Sequence, residues 1–381
     1  MKVYYWSPFS SNIATIQAVL RSAESLSSFG SKFEPYLINS LGEWNDLSKE
    51  KKFTNIINLT NINIAKFLNN KGFLSSRIII IITFFFCFFK LKKLLDKDRP
   101  EFIIIHLVSS LPLILLLLFK FKTKFILRIS GYPKLNLFRR ILWRLVAKKI
   151  SLVTSPSIST LKHLINKKIF RENNIKVLYD PVFKIREIPK LKKNNEFKFD
   201  DNYKYLISIG RFTKQKNFEY LIKEFSLISK KYTNYKLILI GNGELKEKLA
   251  QLINKLNLSE KVIMTGYKKN VFEYFAKSEV FVMTSYWEDP GFVLIESAIS
   301  NVNIISGNCP NGPKDFFENN ENMGFKLETY NEGDLLKTFE EFIKSSVIKK
   351  NQKKLNAKIY AKKYSYYYHF KRLNALLDSL N

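Results

Sequence analysis

The sequence predicts an α/β protein built on mostly parallel sheets. Short apolar runs recur along the chain, each ends in a turn rich in glycine, proline or charge, and several of these turns open into a stretch of helical apolar spacing. Parallel neighbours cannot be joined by a tight hairpin, so this strand, turn, helix order is what a parallel sheet requires. Residues 1–6 read as the first strand, since polar residues follow almost at once and no signal peptide is expected. The apolar run 78–89 is twelve residues, too short for a bilayer whose helices need about twenty, and 88–95 reads as a basic helix. Residues 102–119 contain His106, Ser109, Ser110 and Pro112 and read as a buried strand and then a buried helix. Residues 177–179 end a strand that Asp180-Pro181 breaks. Residues 205–209 form a strand running into Gly210-Arg211-Phe212-Thr213-Lys214-Gln215-Lys216-Asn217, before the amphipathic stretch 220–228. Residues 237–240 end in Gly241-Asn242-Gly243-Glu244 and open a helix, 262–267 make a third crossover, and 303–306 lead into Gly307-Asn308-Cys309-Pro310-Asn311-Gly312-Pro313.

With 381 residues, 46% apolar and 15% aromatic, the chain can bury a large core and is expected to form two domains. The predicted boundaries are 1–182 and 203–363, with a polar, Lys-rich linker at 183–202, a cleft between the domains, and an aromatic-rich final helix at 364–381. Cys87 and Cys309 have no metal-ligand spacing, and His106, His163 and His369 are scattered, so neither a disulfide framework nor a zinc centre is indicated. A reducing, cytoplasmic setting fits. Asp96-Lys97-Asp98 follows a basic stretch and reads as a solvated turn, not a metal site.

The most informative segment runs from Ser285 to Glu296. The apolar run 280–283 delivers the chain to a Pro290-Gly291 turn, and Phe292, Val293, Ile295 and Ile299 then take helical spacing. Free N–H groups at that helix start would form an anion site. Glu296 lies roughly 8 Å along the axis from Gly291 and Glu288 stands before the turn, so two carboxylates would bracket a bound phosphate. That suits a nucleotide sugar, whose hydroxyl-bearing rings lie either side of a diphosphate. On spacing alone, a surface Glu and a capping Glu are the plainer reading. Arg211 and Lys216 supply a planar fork of donors and a point charge for the same diphosphate. In a chain with 63 Lys and Arg, however, one basic pair is more often solvated surface.

In their order, Gly-Arg-Phe-x3-Lys-Asn, Gly-Asn-Gly-Glu, the Glu-x7-Glu pair and Cys-Pro-Asn-Gly-Pro-Lys resemble the retaining, metal-independent glycosyltransferases of the GT-B fold, carbohydrate-active family four. The resemblance covers residues 203–318 and is looser before 200. It implies two Rossmann-like domains, with the final helix crossing back to the first. It also implies that Arg211 and Lys216 hold the donor diphosphate, Glu288 contacts the transferred sugar and Glu296 binds the ribose. Gly291, Phe292 and Val293 would supply backbone contacts, and the base would rest on a loop matching Gly266, Tyr267 and Lys268. No cofactor and no metal would be needed beyond the nucleotide-diphosphate sugar itself. The amino-terminal Gly-Gly loop of the family is replaced by Ser10-Ser11-Asn12-Ile13-Ala14-Thr15. Ser300-Asn301-Val302-Asn303 replaces the small and Gly-Pro residues usual after the Glu pair. His106 is the nearest counterpart of a catalytic histidine of the family, although a lone histidine at a strand end is more often structural.

Charge is the second strong signal. The formal net charge is +30, and residues 102–171 carry fourteen Lys or Arg without one Asp or Glu. Within 137–149, Leu137, Phe138, Ile141, Leu142, Leu145 and Val146 recur at helical spacing among Arg139, Arg140, Arg144 and Lys148, a basic amphipathic helix whose apolar face is expected to pack on the sheet. The surplus of cations points to an anionic membrane surface, and with the resemblance to transfer onto a lipid-linked oligosaccharide or lipopolysaccharide-type acceptor in cell-surface polysaccharide biosynthesis, by an enzyme peripherally bound to the cytoplasmic face of the membrane. The rival classes are a basic nucleic-acid-binding protein, for which no recognisable module is present, and a GT-B epimerase or phosphorylase, neither of which is expected to combine the two motifs.

Overall fold

The computed structural model describes residues 1–8, 14–45, 55–60, 73–133, 135–193 and 196–381. Residues 10–13, part of the segment that stands in place of the family's glycine loop, lie outside them. The chain divides into two compact units, Met1–Pro181 with Tyr366–Asn381, and Val182–Ser365.

The first unit is built on a seven-stranded sheet: β1 (Lys2–Trp6), β2 (Glu34–Asn39), β3 (Ile56–Asn58), β4 (Phe102–Ile105), β5 (Lys124–Arg128), β6 (Leu152–Ser155) and β7 (Ile175–Val177). The order is β3-β2-β1-β4-β5-β6-β7, with every pair parallel. Side chains alternate across it as the pleat demands. Tyr4, Trp6, Ile103, Ile105, Phe125 and Leu127 enter one core, beneath the helices Phe73–Asp98, Ser110–Leu118 and Leu137–Val146. Val3, Tyr5, Phe102, Ile104 and Ile126 enter the other, beneath Ala14–Ser28 and the final helix Tyr366–Asp378.

Two sequence expectations change here. The 78–89 run is part of the 26-residue helix Phe73–Asp98, because the basic stretch after it continues the same helical period. Asp96 and Asp98 therefore close a helix instead of forming a free turn. Asp98 accepts a 2.6 Å hydrogen bond from the Tyr4 hydroxyl, and Asp96 pairs with Lys92 at 2.6 Å. Among the described residues no helix is long and apolar enough to cross a membrane.

The second unit carries β8 (Lys204–Ile209), β9 (Tyr235–Ile240), β10 (Val262–Gly266), β11 (Val280–Met283), β12 (Asn303–Gly307) and β13 (Phe325–Leu327), in the order β10-β9-β8-β11-β12-β13, again parallel throughout. The segment read as a linker, 183–202, packs on this unit. Ile188 is buried within the short helix Ile188–Lys192, Lys192 Nζ donates to the Ser300 carbonyl at 2.6 Å, and the Phe197 and Phe199 rings lie 5.4 Å and 5.0 Å from Tyr274 and Tyr205. Lys190, Lys193 and Lys198 stay exposed, while Lys192 and the apolar residues of the segment are in use.

The final helix is fastened to the first unit by His369. The ring is buried, with Nε2 2.7 Å from Ser22 Oγ and Nδ1 2.6 Å from the Tyr179 carbonyl. Burial lowers its pKa from 6.5 to about 3. Burial, with Arg128 and His369 nearby, also holds His106 well below its ordinary value. Between these folded values and 6.5 the unfolded chain binds protons that the folded chain does not, so the stability contributed by both rings is complete above 6.5 and is lost as the pH falls. Thermal melts from pH 8 to 5 are expected to fall in Tm below pH 6.5, with a stability slope approaching about 1.4 kcal/mol per pH unit for each ring. His369→Phe is expected to lower stability at pH 8 and to make this slope shallower, and an unchanged slope would contradict the assignment.

Candidate functional site

In the second unit the strand order reverses between β8 and β11, and open α/β sheets bind ligands beyond the carboxyl ends of strands at such a point. The loops that follow these two strands meet there. Lys216 closes a 3₁₀ turn, Lys214–Lys216, and its Nζ donates to Glu288 Oε1 at 2.6 Å. Ser285 Oγ donates to the same oxygen at 2.5 Å. The Lys216 side chain is 15% exposed and that of Glu288 5%, so solvent screens the pair little. Further bonds hold the two loops in register. Tyr286 N donates to the Gln215 carbonyl at 2.9 Å, Gln215 Nε2 to the Trp287 carbonyl at 2.7 Å, and Thr284 Oγ1 to the Asn217 carbonyl at 3.2 Å. Tyr330 adds a 2.7 Å bond from its hydroxyl to the Ser285 carbonyl.

Beyond Glu288 the chain turns at Gly291, whose φ of +82° is a conformation side chains resist, and enters the helix Phe292–Ile299. Among the described residues no side chain caps this helix, so its first turn can offer N–H groups to an anion. The loop after β12 joins the same place through a parallel bridge between Glu288 and Asn311. At Gly312 a Cβ would sit 1.6 Å from the Pro290 carbonyl oxygen, so only glycine permits this approach.

The sequence-predicted residues are thus unequally placed. Lys216 and Glu288 touch, and Gly291, Phe292 and Val293 form the turn and helix start directly after them. Glu296 lies half-buried in the second turn of that helix. Arg211 begins the loop after β8, exposed, with no side-chain partner among the described residues. Gly266 ends β10 with φ +73°, and the ring of Tyr267 beyond it is 78% exposed. Sequence reasoning missed Ser285, Gln215 and Tyr330. Ser285 was signalled only by standing three residues before Glu288, and Tyr330 by nothing local. Burial and the neighbouring Glu288 carboxylate push the Cys309 thiol up to about 12, so it stays protonated and is a poor nucleophile.

In the first unit the corresponding reversal lies between β1 and β4, and His106 directly follows β4. It is buried, stacked on Tyr5 with ring centres 5.9 Å apart, and its Nε2 has no hydrogen-bond partner among the described residues. Together with Arg128, Thr154, Asp180 and His369 it lines a small cavity.

Residues 189–363 match the family of glycosyl transferases group 1. The second unit belongs to that family. An uncharacterised glycosyltransferase of Methanocaldococcus jannaschii is 34% identical over 261 residues, covering 63% of this chain and 63% of its own. The N-acetylgalactosamine-N,N'-diacetylbacillosaminyl-diphospho-undecaprenol 4-alpha-N-acetylgalactosaminyltransferase of Campylobacter jejuni is 30% identical over 230 residues, covering 60% and 61%. The chain thus spans less than two thirds of the length of these curated relatives. Among solved structures, the HepE protein of Anabaena, in complex with UDP, aligns over 100% of both chains with a TM-score of 0.75 and 16% identity, a likeness of fold alone. The fold is GT-B, with two Rossmann-like domains.

Gly312 gives a direct check on how this group 1 unit is assembled. Gly312→Ala is expected to displace the Pro290 segment and to cost roughly 1–3 kcal/mol of stability, as overpacking does. An unchanged denaturation midpoint would mean the loops after β11 and β12 are not in contact.

Proposed function

We propose that the chain is a retaining glycosyltransferase that moves a sugar from a nucleoside diphosphate sugar to a hydroxyl of a lipid-linked oligosaccharide or lipopolysaccharide-type acceptor, at the cytoplasmic face of a membrane. One observation carries the reading: the Lys216–Glu288 pair lies at the sheet reversal beside an uncapped helix start, so a cation, a carboxylate and backbone donors converge where a diphosphate and its sugar would meet. The Campylobacter relative, whose printed name specifies a diphospho-undecaprenol glycan, supports the class of acceptor.

In the reaction the bond from the anomeric carbon to the diphosphate oxygen breaks, and its electron pair leaves with the diphosphate. The acceptor hydroxyl oxygen bonds to the same face of that carbon and its proton passes to the departing diphosphate. Retention then follows without a protein nucleophile. Lys216, Arg211 and the N–H groups after Gly291 meet the growing negative charge, the part a metal ion plays in other transferases. Glu288 orients the sugar, Glu296 accepts from the ribose, and the exposed Tyr267 ring beyond Gly266 gives the base a surface.

Nucleoside diphosphate is expected to raise the apparent stability of the native protein, by about 2.7 kcal/mol at a hundred times its Kd. Glu288→Gln is expected to keep most of that shift while losing transfer by roughly 10²-fold or more, and Lys216→Ala to lose both. Wild-type turnover is expected to persist in a chelator. Full activity in either variant would contradict the assignment of the pair.

A further inference from the structure

The helix Leu137–Val146 divides its apolar residues between two sides. Leu142, Trp143 and Val146 are buried on the sheet, whereas Leu137, Phe138, Ile141 and Leu145 are 50–73% exposed. Of the six apolar positions expected to pack inward, only two do so. The reason is helical phase: 142 and 146 fall on one side of the wheel, while 137, 138, 141 and 145 form a second stripe bordered by Arg140, Arg144 and Lys148.

That stripe is not isolated. Ser110–Leu118 packs beside this helix, with Lys149 Nζ donating to the Leu116 and Leu117 carbonyls at 3.0 and 2.8 Å, and the Phe88 ring of Phe73–Asp98 lies 6.5 Å from Phe119 at the end of Ser110–Leu118. All three helices bury their inner sides in one core on one face of the first unit's sheet, so their outer sides form one layer. Phe85 and Phe89 are 78% and 74% exposed on it, and Leu118 is 62% exposed. The exposed cations Lys90, Lys93, Lys120, Arg140, Arg144 and Lys148 accompany them, and none is paired with a carboxylate among the described residues.

Exposed phenyl groups fringed by charge of a single sign mark a docking face, and the charge selects its occupant. A second copy related by a twofold axis would set cations against cations. A polyanion in solution would match the charge and leave the phenyl rings in water. An anionic bilayer meets both, with phosphates at the headgroups and a hydrocarbon edge beneath.

We propose that this three-helix face docks on an anionic lipid bilayer, with Phe85, Phe89, Phe138 and Leu145 entering the headgroup boundary and Lys93, Lys120, Arg140 and Arg144 meeting lipid phosphates. The inference rests on the reading of a lipid-linked acceptor for its purpose, and its test separates the two. The full chain is sedimented with vesicles of phosphatidylcholine alone or mixed with phosphatidylglycerol. Binding is expected only to the mixed vesicles and is expected to weaken in high salt. Arg140→Gln with Arg144→Gln is expected to lose roughly thirtyfold in partition. Phe89→Ser with Phe138→Ser is expected to lose roughly tenfold or more. Nucleoside diphosphate stabilisation is measured on every variant and is expected to be unchanged. Failure of that stabilisation in the wild type, with vesicle binding intact, would overturn the transferase reading and leave the docking face standing. Equal binding to both vesicles, unchanged binding of the phenylalanine variant, or a dimer that this variant dissociates without altering vesicle binding, would overturn the docking face.

Discussion

The Lys216–Glu288 ion pair ties the loop after β8 to the loop after β11 at a place where water screens it little. Removing either partner from such a pair typically costs about 3–5 kcal/mol, because the charge left behind stays buried. The two loops are therefore held as one body, and the bonds from Tyr286 to Gln215, Gln215 to Trp287 and Thr284 to Asn217 fix their register around the pair. The placement of the neighbouring groups follows from it. Ser285 is drawn to the shared carboxylate oxygen, and Gly291 turns the chain so that the next helix begins directly beyond Glu288. A carboxylate already held by a lysine and a serine keeps its orientation without outside help, as expected of a group that must be in position before a ligand arrives.

The two units repeat one strand order, since β3-β2-β1-β4-β5-β6 and β10-β9-β8-β11-β12-β13 reverse after the same number of strands. Glu288 belongs to the loop after β11 and His106 directly follows β4, so each comes after the strand that begins the reversed half of its sheet. Their surroundings differ. Glu288 keeps its charge partner and an uncapped helix start nearby, whereas His106 is stacked on Tyr5 in a place from which burial excludes its protonated form. The first unit buries an Arg128–Asp180 pair at 2.5 Å instead, with Arg128 ending β5. One topology thus offers the same position twice, and side-chain type decides what each can hold.

Where the sequence was legible, a local period or a local turn carried the information. The strands at 205–209 and 237–240 are apolar runs closed by glycine, 280–283 is an apolar run leading to the Pro290-Gly291 turn, and the structure places strands over each of them. The Lys216–Glu288 contact was legible only as a shared ligand, because seventy-two residues separate the partners and no period links them. The segment 183–202 misled for the opposite reason. Its lysines dominate the composition, while two of the residues that anchor it, Lys192 and Phe197, find their partners Ser300 and Tyr274 far away in sequence. Asp98 misled likewise, since its partner Tyr4 lies ninety-four residues away.

The outward stripe of Leu137–Val146 shows how a pattern of the right period can be assigned to the wrong side. Two of its apolar residues suffice, with Trp143, to fasten the helix to the sheet. Leaving Phe138, Ile141 and Leu145 in water forgoes roughly 1.5–3 kcal/mol for each side chain that could have been buried. A sequence constrained by folding alone would gain solubility from polar residues there and lose nothing from its core. The cations beside the stripe sharpen the point, because like charges gathered on one layer repel one another and weaken the folded state. The diphosphate site proposed above draws on Lys216 and Arg211, in the other unit, and leaves the surplus on this layer unaccounted for. Both costs fall on the same three helices, and a surface that is at once apolar and anionic offsets both.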